Sequence, residues 1–263
     1  MSDRAAHRAI ALFAGHGSPR DSLTETDYSR TWRAIADATP RPKAILAISA
    51  HWECKGVLVT RSERPRTIHD FYRFPQEFYD IEYPAPGDPE LAYAIEARLE
   101  AFRARADLDS WGLDHGSWTV LRWMYPEADI PVLQLSMDVR RSPAEHYAIG
   151  RALASLRDEG VMILGSGNVV HNLRVERPRG NEAFPWAQRF DDLVAELVQK
   201  GNDEALVACD DLPEADIAMP EKEHYLPLLY VLGARDATER PAIFNRQVLA
   251  SVSMTCYGFG LPE

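Results

Sequence analysis

The chain has 263 residues, 46% of them hydrophobic and 26% charged, a composition that supports a substantial core and argues against disorder. Lys and Arg number 29 against 40 Asp and Glu, and the resulting formal charge of -11 disfavours an extended nucleic-acid or anionic-membrane footprint. Cys54, Cys209 and Cys256 are too few and scattered for a disulfide framework, and no run approaches the ~20 apolar residues of a membrane helix. The expectation is one cytoplasmic domain over residues 1–263, a monomer or small homo-oligomer.

Arg8 to Ala14 predicts a first strand that runs out into Gly15-His16-Gly17-Ser18-Pro19. Glycines on both sides let the backbone turn sharply and leave the His16 ring uncrowded, although a lone histidine in such a turn is more often merely solvated. Thr26 to Ala38 has helical spacing, with Tyr28, Trp32 and Ile35 on one face, and Lys43 to Ala50 predicts a second strand. Gly56 to Thr60 is β-rich and is expected to pair with it. Arg61 to Arg66, interrupted by Glu63 and Pro65, has the pattern of a solvated loop, and Pro65 to Pro86, rich in Pro and aromatics, is a candidate lid.

Asp88-Pro89 supplies an N-cap and a first-turn proline for a helix to about Arg105. Ile130 to Met137 predicts a strand, and the capping box Ser142-Pro143-Ala144-Glu145 opens a helix to Asp158 that Gly160 stops. Val161 to Leu164 is a short buried strand ending in Gly165-Ser166-Gly167-Asn168. A long amphipathic helix over Phe184 to Gln199, a helix over Tyr225 to Gly233 and a strand near Val248 to Tyr257 complete the pattern. Such alternation predicts an α/β fold: a central, mostly parallel mixed sheet flanked by helices on both faces.

Three of the eight histidines, His16, His51 and His171, follow predicted strands, where open α/β sheets gather their ligands. His115 and His224 lie in loops or at helix starts. Clustered neutral imidazoles suit Fe(II) or Zn(II), but the compact spacing of a HExxH or CxxC motif is absent. His69, followed by Asp70, is either a pocket residue or a structural histidine. His7 and His146 are expected to be solvated, and Cys54 to be core.

Taken together, Gly15-His16-Gly17-Ser18-Pro19, Ser49-Ala50-His51-Trp52, Thr67-Ile68-His69-Asp70-Phe71, Tyr83-Pro84-Ala85-Pro86-Gly87, Trp111-Gly112-Leu113-Asp114-His115-Gly116-Ser117-Trp118, Ser166-Gly167-Asn168-Val169-Val170-His171-Asn172-Leu173 and Glu223-His224-Tyr225-Leu226-Pro227 resemble the DODA-type extradiol ring-cleaving dioxygenases of the class III, LigB-type superfamily. The matches run in order over most of the chain. The resemblance implies Fe(II) in the active form, Zn(II) in isolated protein, and a small-molecule catechol such as DOPA cleaved with O2. It implies His16, His51 and His224 as metal ligands, and His171 as acid/base histidine and, in zinc-loaded members, a fourth ligand. His115 would face substrate or oxygen, and Ser18, Arg20, His69 and Tyr225 would contribute to substrate binding.

Two departures stand out. The third ligand of better-known superfamily members is a carboxylate, whereas the matching residue here is His224, with Glu221 and Glu223 nearby as substitutes. After Gly-His-Gly-Ser-Pro the family commonly continues with Met-Asn, whereas this chain has Arg20-Asp21. Arg20 there either holds a substrate carboxylate or, the blander expectation, forms a surface salt bridge to Asp21 or Glu25. The competing functions are a zinc hydrolase on the same histidines and a non-catalytic binding protein like the Memo-type relatives.

Overall fold

The computed structural model describes residues 8–108, 110–176 and 181–262; His7 lies outside them. Six strands form the central sheet: β1 (Ala11–Gly15), β2 (Ala44–Ser49), β3 (Val132–Gln134), β4 (Val161–Gly167), β5 (Ala242–Phe244) and β6 (Cys256–Phe259). Their order is β3-β2-β4-β1-β6-β5. The first four are mutually parallel, while β6 runs antiparallel to both β1 and β5. Because β1, β2 and β4 are parallel and adjacent, their carboxyl ends open on one edge, and the segments carrying His16, His51 and His171 leave the sheet side by side.

Successive side chains along the strands point to opposite faces, so each face has its own core. Leu12, Ala14, Ile45, Ala47 and Leu164 pack against Trp32 of α1 (Asp27–Ala38) and Trp118 and Leu121 of α3 (His115–Met124). Phe13, Leu46, Ile48 and Ile163 face Ile95 of α2 (Pro89–Arg98), Ile149 and Leu153 of α4 (Pro143–Leu153), Phe190 and Val194 of α5 (Pro185–Lys200), and α6 (Leu226–Ala234). Every residue of α6 is buried, and this helix anchors His224 two residues before its start.

Local signals place the helix starts. Thr26 and Ser142 accept from the backbone N–H three residues on and are reciprocated, Asp88 caps α2, and Gly160 and Gly201 end their segments in the left-handed region. The departures from expectation are tertiary. Gly56 to Thr60 does not pair with β2; Leu58–Thr60 lies parallel to Arg105–Asp107 instead. The helix expected to reach Arg105 therefore ends at Arg98, and a 3-10 turn closed by left-handed Arg103 swings the chain round to form that ladder. The helix expected to reach Asp158 becomes a 3-10 segment after Leu153. The strand expected near Val248 to Tyr257 is a small hairpin, Val248–Leu249 with Val252–Ser253, followed by β6. His146 is not solvated: it is wholly buried beneath α6, with Nδ1 2.8 Å from the Tyr230 hydroxyl. The three cysteines are free, with Cys54 half-buried rather than core, and no helix among the described residues is long and apolar enough to cross a membrane.

Candidate metal centre

His16 follows β1 directly. Neither Gly15 nor Gly17 takes a left-handed φ, so what Gly15 provides is close approach. A Cβ on Gly15 would stand 2.6 Å from the Met254 backbone, and one on Gly167 would stand 2.1 Å from the carbonyl oxygen of His224. The missing side chains let the segments bearing His16 and His224 settle against neighbouring backbone.

The rings of His16, His51 and His224 form a nearly equilateral triangle, with centres 5.1, 5.1 and 5.3 Å apart. Three imidazoles sharing one ion at about 2.1 Å would have ring centres about 5 Å apart. Second partners set which nitrogen faces inward. Ser166 has a single hydroxyl proton and donates it to the Gly116 carbonyl at 2.5 Å, so its oxygen accepts from Nδ1–H of His16 at 2.9 Å. Asn168 gives its amide hydrogens to the carbonyls of His16 and Ser253, both at 2.7 Å, so its Oδ1 accepts from Nδ1–H of His224 at 2.9 Å. Asp70 lies 2.9 Å from Nδ1 of His51. The rings of His16 and His224 therefore keep Nε2 unprotonated when neutral, the Asp70 carboxylate beside Nδ1 of His51 favours the same tautomer there, and the Nε2 atoms of His16 and His51 stand only 3.1 Å apart. A contact of that length holds either a shared hydrogen or a bound cation, and the donor set fits a divalent metal.

His171 stacks on His224 with ring centres 3.5 Å apart, and its Nδ1 lies 3.6 Å from Glu223. Of the two acids beside His224 in sequence, Glu223 reaches to 4.0 Å from Nε2 of His224, while exposed Glu221 pairs with Arg174. His115 lies beside His51, ring centres 4.1 Å apart, with Nδ1 2.9 Å from the other oxygen of Asp70. Donor atoms of His16, His51 and His115 lie within 4.8 Å of one another, as do those of His171, Glu223 and His224, so the donors gather in two adjoining groups.

Burial, reinforced by the neighbouring imidazoles, holds His16 and His224 well below the usual histidine pKa. Burial and His51 lower His115 despite Asp70. His51 also resists protonation through burial, but the Asp70 carboxylate outweighs this and raises it. Burial alone would raise Asp70; its contacts with His115 and His51 hold it far below the carboxylate range.

His16, His51, His171 and His224 open on one cavity of about 560 Å3, which Ser18, Arg20, Asp21 and Phe74 also line. Arg20 does not form the expected surface ion pair. Its guanidinium lies over the rings of Phe74 and Phe78 at 5.5 and 5.8 Å, while Glu25 is taken by Arg30 and Arg33. Phe74 brings the Pro65 to Pro86 segment into the cavity wall. Three residues expected to face substrate, His115, His69 and Tyr225, fall outside the lining; His115 is buried against His51 and Asp70. His69 gives its Nε2–H to the Ile81 carbonyl at 2.8 Å among Phe71, Tyr79 and Trp118. Tyr225 is wholly buried, its hydroxyl donating to the Leu206 carbonyl, because it begins the turn into the apolar helix α6. Sequence reasoning gave Asp70, Ser166 and Asn168 no role, although each stood inside a quoted motif.

Residues 5–260 match the model of the family described as the catalytic LigB subunit of aromatic ring-opening dioxygenase. The chain belongs to this family. It is 49% identical over 236 residues to the 4,5-DOPA dioxygenase extradiol of Escherichia coli, spanning 88% of this chain and 87% of that one. It is 39% identical to the protein of the same description from Beta vulgaris, over 89% and 90% of the two chains. A crystal structure of an uncharacterized Escherichia coli K12 protein superposes with a TM-score of 0.84 at 42% identity, over 95% of this chain and 99% of that chain. This LigB-family protein is an extradiol dioxygenase, and the family's dependence on a non-haem metal agrees with the histidine cluster. The assignment favours neither the zinc hydrolase nor the binding-protein alternative.

Proposed function

We propose that this enzyme opens the ring of a catechol bearing an α-amino acid tail, such as DOPA, using O2 and bound Fe(II), with residues 1–263 as one catalytic domain. The observation that carries the metal reading is the approach of the Nε2 atoms of His16 and His51 to 3.1 Å beside His224. His16, His51 and His224 would hold the ion through Nε2, and Zn(II) would occupy the same donors in isolated protein. Bound Fe(II) supplies the redox chemistry that joins an electron-rich ring to O2.

The chain's own residues do the rest. His171, with Nδ1 turned toward Glu223, takes the catechol proton at Nε2 as substrate enters and later returns it. In zinc-loaded protein the same ring is near enough to His224 to become a fourth ligand. His115, its Nδ1–H committed to Asp70, keeps Nε2 to accept a hydrogen bond from the substrate or to act on oxygen. Arg20 supports recognition of the substrate carboxylate, Asp21 of its ammonium group, and Ser18 adds a hydroxyl at the same wall. His69 and Tyr225 support the wall from behind rather than by contact. The unpaired cysteines and the acidic surface support a cytoplasmic enzyme, monomeric or in a small homo-oligomer, with no nucleic-acid or membrane partner.

The test is anaerobic reconstitution with Fe(II), and separately with Zn(II), followed by O2 uptake and visible absorbance with DOPA, dopamine, caffeate and protocatechuate. Uptake with Fe(II) alone and a yellow ring-opened product from DOPA is the expected result. Absence of uptake with any catechol, despite stoichiometric Fe(II), overturns the proposal.

A further inference from the structure

We infer that Asp70 is the positioning residue of the metal centre, fixing His51 and His115 together in the tautomer that turns both Nε2 lone pairs inward. The inference rests on the reading of His51 as a metal ligand.

The carboxylate is shared between two rings. Oδ2 lies 2.9 Å from Nδ1 of His51, and Oδ1 lies 2.9 Å from Nδ1 of His115 while accepting the His115 backbone N–H at 3.0 Å. An ionised carboxylate only accepts, so Nδ1 of His115 must carry the hydrogen it donates. At 2.9 Å from Oδ2, off the line of an ideal hydrogen bond, a hydrogen on Nδ1 of His51 is favoured over a lone pair facing the carboxylate; each neutral ring then has its lone pair at Nε2. His115 is the first residue of α3, whose dipole favours an anion at that point. Asp70 is also held from its own side. Ile68 N–H donates to the Leu113 carbonyl at 2.7 Å, and Trp118 Nε1–H donates to the Ile68 carbonyl at 2.9 Å.

Charge gives a second reason. Three imidazoles bring no negative charge to a divalent ion; Asp70 brings a carboxylate to 2.9 Å from one of them, closer than Glu223, which stands 4.0 Å from His224. Four residues on, Phe74 lines the substrate cavity beneath Arg20, so a single segment carries both the orientation of the donors and a wall of the pocket.

Asparagine at this position has nearly the same shape but presents an NH2 to one of the rings. That ring must then accept at Nδ1 and carry its hydrogen at Nε2, where it cannot ligate. Asp70→Ala removes the acceptor without imposing a donor.

The test measures Zn(II) affinity of the apo protein by competition with a chromophoric chelator, in wild type, Asp70→Asn, Asp70→Ala and His51→Ala. Histidine tautomers are read alongside by 15N NMR, and thermal midpoints by circular dichroism. The expected result is a loss of about 10–100-fold in zinc affinity for Asp70→Asn, a smaller loss for Asp70→Ala, and Nδ1–H tautomers for both His51 and His115 in the wild type. If His51→Ala loses zinc while folded Asp70→Asn binds within about twofold of wild type, the positioning role is overturned and the metal reading stands. An Nε2–H tautomer at His51 or His115 in the wild type overturns it without recourse to any variant. Unchanged zinc binding in His51→Ala overturns the metal reading itself, and the inference with it.

Discussion

Asn168 accepts Nδ1–H of His224 at 2.9 Å while its own amide hydrogens are tied to two backbone carbonyls at 2.7 Å. The orientation of the amide, and through it the tautomer of His224, is thus fixed by groups outside the ring. Replacing Asn168 by Ala would leave three buried polar groups without partners, each costing about 1–3 kcal/mol. Asn168→Ala is expected to lose at least about 2 kcal/mol in urea denaturation and to bind Zn(II) more weakly. Full stability with normal zinc affinity would remove Asn168 from the account.

His16 and His171 stand within one cavity but are expected to fail differently. His16→Ala should abolish stoichiometric Fe(II) binding, read by metal analysis after desalting. His171→Ala should retain Fe(II) and lose roughly 100–10,000-fold in kcat, the usual range for a general acid/base residue. Equal metal loss in both variants would make His171 an obligatory ligand instead.

Arg20 carries a substrate prediction. Its charge lines the cavity above Phe74 and Phe78, so Arg20→Met should raise KM for DOPA by about 10–100-fold, the equivalent of one charge-assisted contact. KM for dopamine, which has no carboxylate, should change little. Equal effects on the two substrates would show that Arg20 only packs against the aromatic rings.

Acid sensitivity of the apo protein should come in part from His146, which burial, with help from Arg141, pushes down to about 4. Below pH 6.5 the unfolded chain binds a proton there that the folded chain refuses, so stability falls as pH drops from about 6.5 toward 4, by roughly 3 kcal/mol for a shift of this size. Burial gives His16 and His224 the same sign, while His51, which is raised, works in the opposite sense. His146→Gln should flatten the acid limb in chelator-treated protein, measured by urea midpoints from pH 7 to pH 5. An unchanged slope would exclude His146 as a contributor.

The sequence by itself determined what is local. Short apolar runs located β1, β2 and β4, and caps such as Thr26, Asp88 and Ser142 located helix starts, since the responsible groups lie within a few residues of one another. Parallel strands then put the segments bearing His16, His51 and His171 on one edge without further information. Tertiary structure decided which partners complete each group. Asp70 meets His115 across 45 residues and Asn168 meets His224 across 56, separations over which residue type alone specifies no pairing. The burial of His146 and Tyr225 was likewise hidden, because a histidine on a capped helix and a tyrosine beside a ligand look solvated or functional until α6 packs over the one and begins from the other. Arg20 was decided by Phe74 and Phe78, which reach it only when the segment of residues 65–86 folds back against the site.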